Sequence, residues 1–532
     1  MARHVVLVGH GMVGDRFIEE IRRRDPDGTR VRLTVLGAEP RSGYNRILLP
    51  SLLSGAMLDD DIFPPNAPAG LPAGHPVLRP GTAATALDLP ARAVLTSEGG
   101  LVRYDDLILA TGAAARIPDI PGIDRSVTPL RTVADARRVG SLALQARRKH
   151  GRLVVLGGGV LGLEAARALV ARGTAVTVVH PGRHLMERQV DAPGGRILAA
   201  ALRRTGVDIE LGAGASWWEP GHGLWIVPSG GTTPSGSDRS AFPGDTPGPP
   251  SPRRLSDEGT NISARRGARL IPATGMVLST GAVPDSGLAR DAGLRLTSRG
   301  GIAVDDTLAT SDPHVYAIGD CAGHPGAPGG LVQPGWEQAA VLAARLTGDT
   351  RARYRGSTVV TRLKAAGIEL TCLGDPLTED EEPDCEVLSF ADPARERYAK
   401  LMLADDRVTG AILIGLPDAA AGITQVYDRG APAPADRLAL LLGRALPPDA
   451  PGGSGPAALP DHAIVCRCNM VTKAALRDAW YRGAACARDL SSATRAATGC
   501  GSCGDDVADF ATWLAAVSSE ETGPHQKEAQ LA

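Results

Sequence analysis

The chain of 532 residues carries 57 basic and 59 acidic side chains, a formal charge of −2, and only 3% aromatic residues beside 65 glycines and 41 prolines. That length suggests about three or four domains at roughly 150 residues each, and the balanced charge argues against a nucleic-acid partner. No window approaches 18 consecutive apolar residues and the first apolar run is too short for a signal peptide, so no membrane partner is expected and the protein reads as cytoplasmic.

In chain order, a short apolar strand, Val5 to Val8, runs into Gly9-His10-Gly11-Met12-Val13-Gly14, a G-x-G-x-x-G turn that opens a helix to about Arg24. The glycines permit a tight turn and a close approach to a pyrophosphate, which free N–H groups and the dipole of the helix N-terminus attract. A second strand, Val31 to Leu36, is followed by Glu39, an acid placed to accept hydrogen bonds from a ribose diol. Together these read as a dinucleotide site with Gly9, Gly11, Met12, Val13, Gly14 and Glu39 as candidates. Arg46, in Tyr44-Asn45-Arg46, can pair with a phosphate or stand as a solvated loop arginine. The strand Leu107 to Leu109 ends in Ala110-Thr111-Gly112, small residues that let the chain pass close to a bound nucleotide.

A second fingerprint follows at Leu153 to Gly162, with Gly157, Gly159, Val160, Leu161 and Gly162 in the turn and a helix to about Arg172. Two such units about 150 residues apart are far more specific than one and imply two nucleotides on two Rossmann-like domains. After the next strand, Ala175 to Val179, the expected acid is replaced by His180-Pro181-Gly182-Arg183. His180 and Arg183 favour a 2′-phosphate if they face it; otherwise they are surface residues. Glu164 either reaches the nicotinamide end or is a first-turn acid favoured by the helix dipole. In Pro228 to Pro252, 20 of 25 residues are Pro, Gly, Ser or Thr, the composition of a disordered insertion in a surface hairpin, about 228–268. Gly281 closes another apolar strand. Gly319-Asp320 ends a later one, and an acid there can bind the ribityl hydroxyls of FAD. The helix from about Pro334 to Leu346 can turn its positive end toward a flavin.

Residues 349–443 alternate apolar strands with a closing helix and read as a small α+β interface domain, with Cys372 and Cys385 as buried small hydrophobes. The segment 444–461 is a Pro/Gly linker with a mean span of roughly 20–25 Å. Cys466-Arg467-Cys468 and, after a spacer of 31 residues, Cys500-Gly501-Ser502-Cys503 then form a C-x-C plus C-x-x-C set. Four thiolates select zinc or an iron–sulfur cluster. A flavin upstream favours the cluster, because it provides an electron donor. Lys473 to Arg482 and Asp489 to Ala497 are helix-like, which puts both pairs at helix entries. Cys486 lies outside the pattern.

This order of motifs resembles the FAD- and NAD(P)H-binding half of assimilatory nitrite reductase large subunits. It is equally similar to the electron-transfer subunit of assimilatory nitrate reductase. The resemblance rests on Val6 to Glu19, Tyr44-Asn45-Arg46, Leu185-Met186-Glu187-Arg188-Gln189-Val190-Asp191, Val332 to Ala339 and the surroundings of Leu363-Lys364. Residues 462–516 resemble a bacterioferritin-associated ferredoxin-like 2Fe–2S domain. The resemblance implies an α/β, glutathione-reductase-like fold with FAD on 1–118 and 300–348, NAD(P) on 119–299, a C-terminal helical 2Fe–2S domain, and a tail, 517–532, left disordered. Flavoproteins of this fold that reduce disulfides carry a cysteine soon after the first unit. Here the first cysteine is Cys321, so disulfide chemistry is not expected. The resemblance also implies NADH, or NADPH, as donor and a terminal reductase as partner, with a molybdenum nitrate reductase foremost. Full nitrite reductase large subunits continue into a sirohaem domain, so this chain is not expected to reduce nitrite by itself. The same motifs suit a ferredoxin-type reductase serving an oxygenase or an amine or opine dehydrogenase, and a redox-sensing module is a third reading.

Overall fold

The computed structural model describes residues 2–41, 43–58, 60–63, 76–229, 267–358, 360–365, 367–377, 385–443, 456–461, 463–466, 469–498 and 503–522. Two parallel five-stranded sheets share one plan. The first runs Val315–Ala317, Asp106–Leu109, Arg3–Val8, Val31–Gly37, Val77–Pro80, with every neighbour parallel. The second runs Val127–Pro129, Gly275–Leu278, Arg152–Leu156, Ala175–His180, Val207–Leu211, again all parallel. Parallel strands covered on both faces are apolar without interruption. Accordingly Val5 to Val8 and Leu153 to Leu156 at the two centres are at most 5% exposed.

Each central strand passes through its glycine turn into a helix, Met12–Arg24 in the first unit and Val160–Ala171 in the second. Each unit also carries a three-stranded antiparallel layer, one spanning 84–103 and the other 213–272. The Pro/Gly/Ser/Thr insertion joins two paired strands of the second layer, Gly223–Pro228 and Arg269–Pro272; residues 230–266 lie outside the described residues. Where the chain crosses between the units, Ala113–Ala115 pairs with Ala282–Pro284 in an antiparallel ribbon. No helix among the described residues is long and apolar enough to cross a membrane.

The segment after 358 forms an antiparallel sheet in the order Val360–Ala365, Ile368–Gly374, Arg407–Ile414, Arg397–Ala404, Cys385–Asp392, with the helix Pro417–Arg429 against it. Tyr398 and Ile412 share a core with Leu198 of the second unit, and the Tyr398 hydroxyl donates to Asp191 at 2.6 Å. Cys372 is buried, which pushes its thiol pKa up. Cys385, at the start of the edge strand, is only half-buried, contrary to expectation.

The C-terminal unit consists of a short ribbon, Ile464–Cys466 with Val471–Thr472, and the helices Lys473–Tyr481, Ala487–Thr494 and Gly504–Thr522. Two expectations need correction. Cys466 ends a strand rather than entering a helix, whereas Cys503 does stand at a helix entry. The last helix runs past residue 516 because Val507, Phe510 and Leu514 anchor it in the small core and Ser518 accepts a hydrogen bond from Trp480 at 3.0 Å. Residues 517–522 of the tail expected as disordered are thus helical, and residues 523–532 lie outside the described residues.

Gly157 turns the chain at a φ of +119°, and a Cβ there would overlap the Ser279 carbonyl oxygen of the returning strand. Gly157→Ala is expected to cost about 2 kcal/mol or more, through left-handed strain and a backbone clash, read as a fall in the thermal unfolding midpoint of the apoprotein.

Candidate functional site

One cavity of about 3280 Å³ runs past both glycine turns and reaches the C-terminal unit. Its walls include Gly9, Gly11, Met12, Val13, Glu39, Arg46, Ala110, Thr111, Gly112, Gly157, Gly159, Val160, Leu161, Glu164, His180, Gly281, Gly319, Asp320 and Cys503. Four other predicted site residues are not among them: Gly14, Gly162, Arg183 and Cys466. Cys468 and Cys500 lie outside the described residues.

The three motif glycines of each turn have different tasks, and the tasks repeat. The first passes beneath the returning strand: a Cβ on Gly9 would overlap the Ala110 carbonyl oxygen, as one on Gly157 would that of Ser279. The third packs helix on turn, since a Cβ on Gly14 would strike the Gly9 carbonyl and one on Gly162 that of Gly157. The middle glycines, Gly11 and Gly159, would bring a Cβ against no protein atom within 4 Å. Each is the N-cap of its helix with no side-chain capping bond, so the first helical N–H groups, which have no intrahelical acceptor, border open cavity. That is the cradle a pyrophosphate would fill.

In the first unit the Glu39 carboxylate receives the Arg46 guanidinium at 2.7 Å and the Tyr44 hydroxyl at 3.0 Å. Arg46 therefore spends its charge on Glu39. Burial and the Glu39 carboxylate outweigh the opposing Arg46 charge and leave Tyr44 with a pKa pushed up to about 12, so it stays a donor. Asp320 accepts from Arg131 at 3.0 Å and from the Gly330 N–H at 3.2 Å. Arg131 lines the cavity and lies just before the capping box Thr132…Asp135 of the helix Val133–Arg148. Sequence reasoning missed it: the capping box marks the helix start, but nothing local points across 189 residues to Asp320. The helix Val332–Leu346 opens on the cavity with Val332 and Gln333, and Gln338 accepts the Gly319 N–H at 2.7 Å. Cys321 sits in the core beneath, its thiol donating to the Leu109 carbonyl at 3.3 Å.

In the second unit the His180 ring accepts the Gly158 N–H through Nδ1 at 3.2 Å. Burial pulls its pKa down, against the pull of Glu187, and favours the neutral ring. Of the two alternatives left open for Arg183 the structure favours the surface residue: it is not part of the cavity wall, and its backbone N–H donates to Glu187 at 2.8 Å. Glu187 lines the cavity and was not singled out from the sequence.

In the C-terminal unit Cys466 and Cys503 are both buried in one core with Leu476, Leu490 and Phe510. The loops that carry the two cysteine pairs are tied together: Asn469 donates to the Arg495 carbonyl at 2.5 Å and to the Thr498 hydroxyl at 3.2 Å. Buried thiols brought together from two tied loops suit a thiolate-held cluster, and Cys503, at the N-terminal end of the helix Gly504–Thr522, gains from its dipole. The Arg495 side chain reaches the other way. Its guanidinium bonds Asp15 at 2.8 Å and Glu19 at 2.9 Å, both on the helix that follows the first glycine turn. Burial opposes ionisation of Asp15, but the His10 hydrogen bond and the Arg495 charge outweigh it and hold its pKa below the ordinary value.

Residues 3–343 match the family described as pyridine nucleotide-disulphide oxidoreductase, residues 360–425 the rubredoxin NAD+ reductase C-terminal domain, and residues 464–510 the BFD-like [2Fe-2S] binding domain. The chain is 33% identical to a nitrite reductase [NAD(P)H] of Bacillus subtilis (strain 168), over 94% of its own length and 56% of the relative's. It is 30% identical to the assimilatory nitrate reductase electron transfer subunit of the same organism, over 98% and 61%. It thus spans little more than half the length of these curated relatives. Its fold matches that of the covalent putidaredoxin reductase–putidaredoxin complex with a TM-score of 0.64 at 23% identity, over 81% of this chain and 94% of that one.

Because no protein atom needs the middle glycine, Gly11→Ala is expected to leave apoprotein stability within about 1 kcal/mol of the parent while lowering the FAD content of the purified protein, measured as the ratio of visible to ultraviolet absorbance.

Proposed function

The chain belongs to the pyridine nucleotide-disulphide oxidoreductase family, and from that premise we propose that it is an electron-transfer unit. It takes two electrons from NADH or NADPH and delivers them one at a time to a terminal reductase, with FAD and a [2Fe-2S] cluster as its resident cofactors. The observation that carries this reading is that Cys503 lines the same cavity as the two glycine turns. Among the described residues it is the one cysteine that does so, which favours outward electron transfer over reduction of a disulfide. We assign residues 1–118 and 300–348 to FAD, 119–299 to the nicotinamide dinucleotide, 349–443 to the interface domain and 462–522 to the cluster.

When bound, FAD exchanges electrons in pairs with nicotinamide and singly with the cluster. The protein's part is to hold and to tune. The two uncapped helix N-termini take the two pyrophosphates. Glu39, fixed by Arg46 and Tyr44, presents its carboxylate to the adenosine ribose of FAD. Asp320, fixed by Arg131, presents its own to the ribityl chain. The N-terminus of the helix Val332–Leu346 offers positive potential to the flavin ring. Cys466, Cys468, Cys500 and Cys503 hold the cluster, and Arg495 docks its domain on the FAD unit through Asp15 and Glu19. The names of the relatives support a nitrate or nitrite reductase as the acceptor; of these a molybdenum nitrate reductase suits a separate electron-transfer subunit.

Two variants separate the stages. Cys503→Ser is expected to keep NADH–ferricyanide activity while abolishing transfer to an iron–sulfur-dependent acceptor. Arg495→Glu is expected to keep the ferricyanide activity within about twofold but slow reduction of the cluster, followed by stopped flow and EPR, by about tenfold. Loss of both activities in a folded, FAD-replete Cys503→Ser protein would sink the proposed path.

A further inference from the structure

At the end of the strand Ala175–His180 the site is short of an acid, and the geometry points to Glu187 as its replacement. We propose that the Glu187 carboxylate accepts the adenosine ribose diol of the nicotinamide dinucleotide and makes the protein specific for NADH over NADPH. The assignment rests on the proposed dinucleotide site in the second unit and deepens it.

Four features hold the carboxylate there. The loop after His180 is pinned to the glycine turn, because the Met186 N–H donates to the Gly158 carbonyl at 3.0 Å. Met186 takes a left-handed φ of 53°, a strain that a β-carbon-bearing residue keeps only where the surroundings demand it. Gly182 leaves room: a Cβ there would lie on the Glu187 carboxylate itself. Finally the Arg183 N–H donates to Oε1 at 2.8 Å, and Oε2 lies 3.7 Å from His180 Nε2. The loop thus closes on its own carboxylate, which remains 42% exposed and borders the cavity.

The same geometry commits His180 to other partners and keeps Arg183 off the wall, two groups that would welcome a phosphate. His180 gives Nδ1 to the Gly158 N–H, and its Nε2 is buried without a hydrogen-bond partner among the described residues. Arg183 uses its backbone on Glu187, and its side chain is not part of the cavity wall. Arg188 is the arginine of this loop that reaches the wall. A ribose 2′-hydroxyl can donate to a carboxylate; a 2′-phosphate dianion is repelled by it.

The test is a calorimetric titration of NAD+ and NADP+ into the full-length, FAD-loaded oxidised protein and its Glu187→Gln and Glu187→Arg variants. The parent is expected to bind NAD+ about 100-fold more tightly than NADP+, and Glu187→Gln to narrow that ratio about tenfold, mainly by tighter NADP+ binding, with Glu187→Arg narrowing it further. A parent that prefers NADP+, or a ratio unchanged in both variants while both nucleotides still bind, overturns the assignment and leaves the dinucleotide site standing. A parent that binds neither nucleotide overturns the site and the assignment with it.

Discussion

In both parallel sheets the chain passes so close beneath the carbonyl of a returning strand that a single methyl group would not fit. Gly9 does so under Ala110, and Gly157 under Ser279. That crossing sets the height of the turn above the sheet, and the third glycine of each motif then sets the helix on the turn. The middle glycine and the first helical N–H groups are left facing outward. Everything the site does follows from this placement: an uncapped helix end, fixed by backbone contacts on one side, keeps a concave, donor-rich surface on the other. Because the contacts are backbone to backbone, side-chain substitution around them cannot easily shift the cradle.

Three carboxylates of the cavity wall are held in place by donors around them. Glu39 is gripped by Arg46 and Tyr44, Asp320 by Arg131 and a backbone N–H, Glu187 by a backbone N–H of its own loop. These pairs are partly exposed, and such ion pairs add little to global stability. Their effect is on position. A carboxylate already oriented and charged loses little rotamer entropy when a hydroxyl arrives, which is the advantage of preorganisation. Glu187 adds a sign: the group that receives a neutral diol repels a phosphorylated one.

The C-terminal unit adds a different device. Arg495, forced into a left-handed conformation that ends the helix Ala487–Thr494, offers its carbonyl to Asn469 within its own unit and its guanidinium to Asp15 and Glu19 on the FAD unit. One residue therefore joins the loops of the cysteine pairs to each other and to the helix of the first glycine turn. A small domain needs such a contact if electrons are to cross a short gap, and a contact made of charge can also be released.

The two glycine turns, the strands that precede them and the four-cysteine pattern were legible because each answers to a local rule. A positive φ admits glycine with little competition, buried parallel strands are apolar throughout, and a metal needs several soft donors close in sequence. The sequence by itself thereby determined the two-nucleotide architecture and the cluster domain. It left Arg183 open between a phosphate partner and a surface residue, and the structure uses its N–H on Glu187 without placing it in the cavity wall, because loop direction is not encoded in composition. It was silent on Arg131 and Arg495, whose partners lie 189 and 480 residues away, and on Glu187, whose importance depends on a loop folding back over Gly182. Only the tertiary structure decided those, since which charge meets which across a fold is set by how the sheets and helices pack.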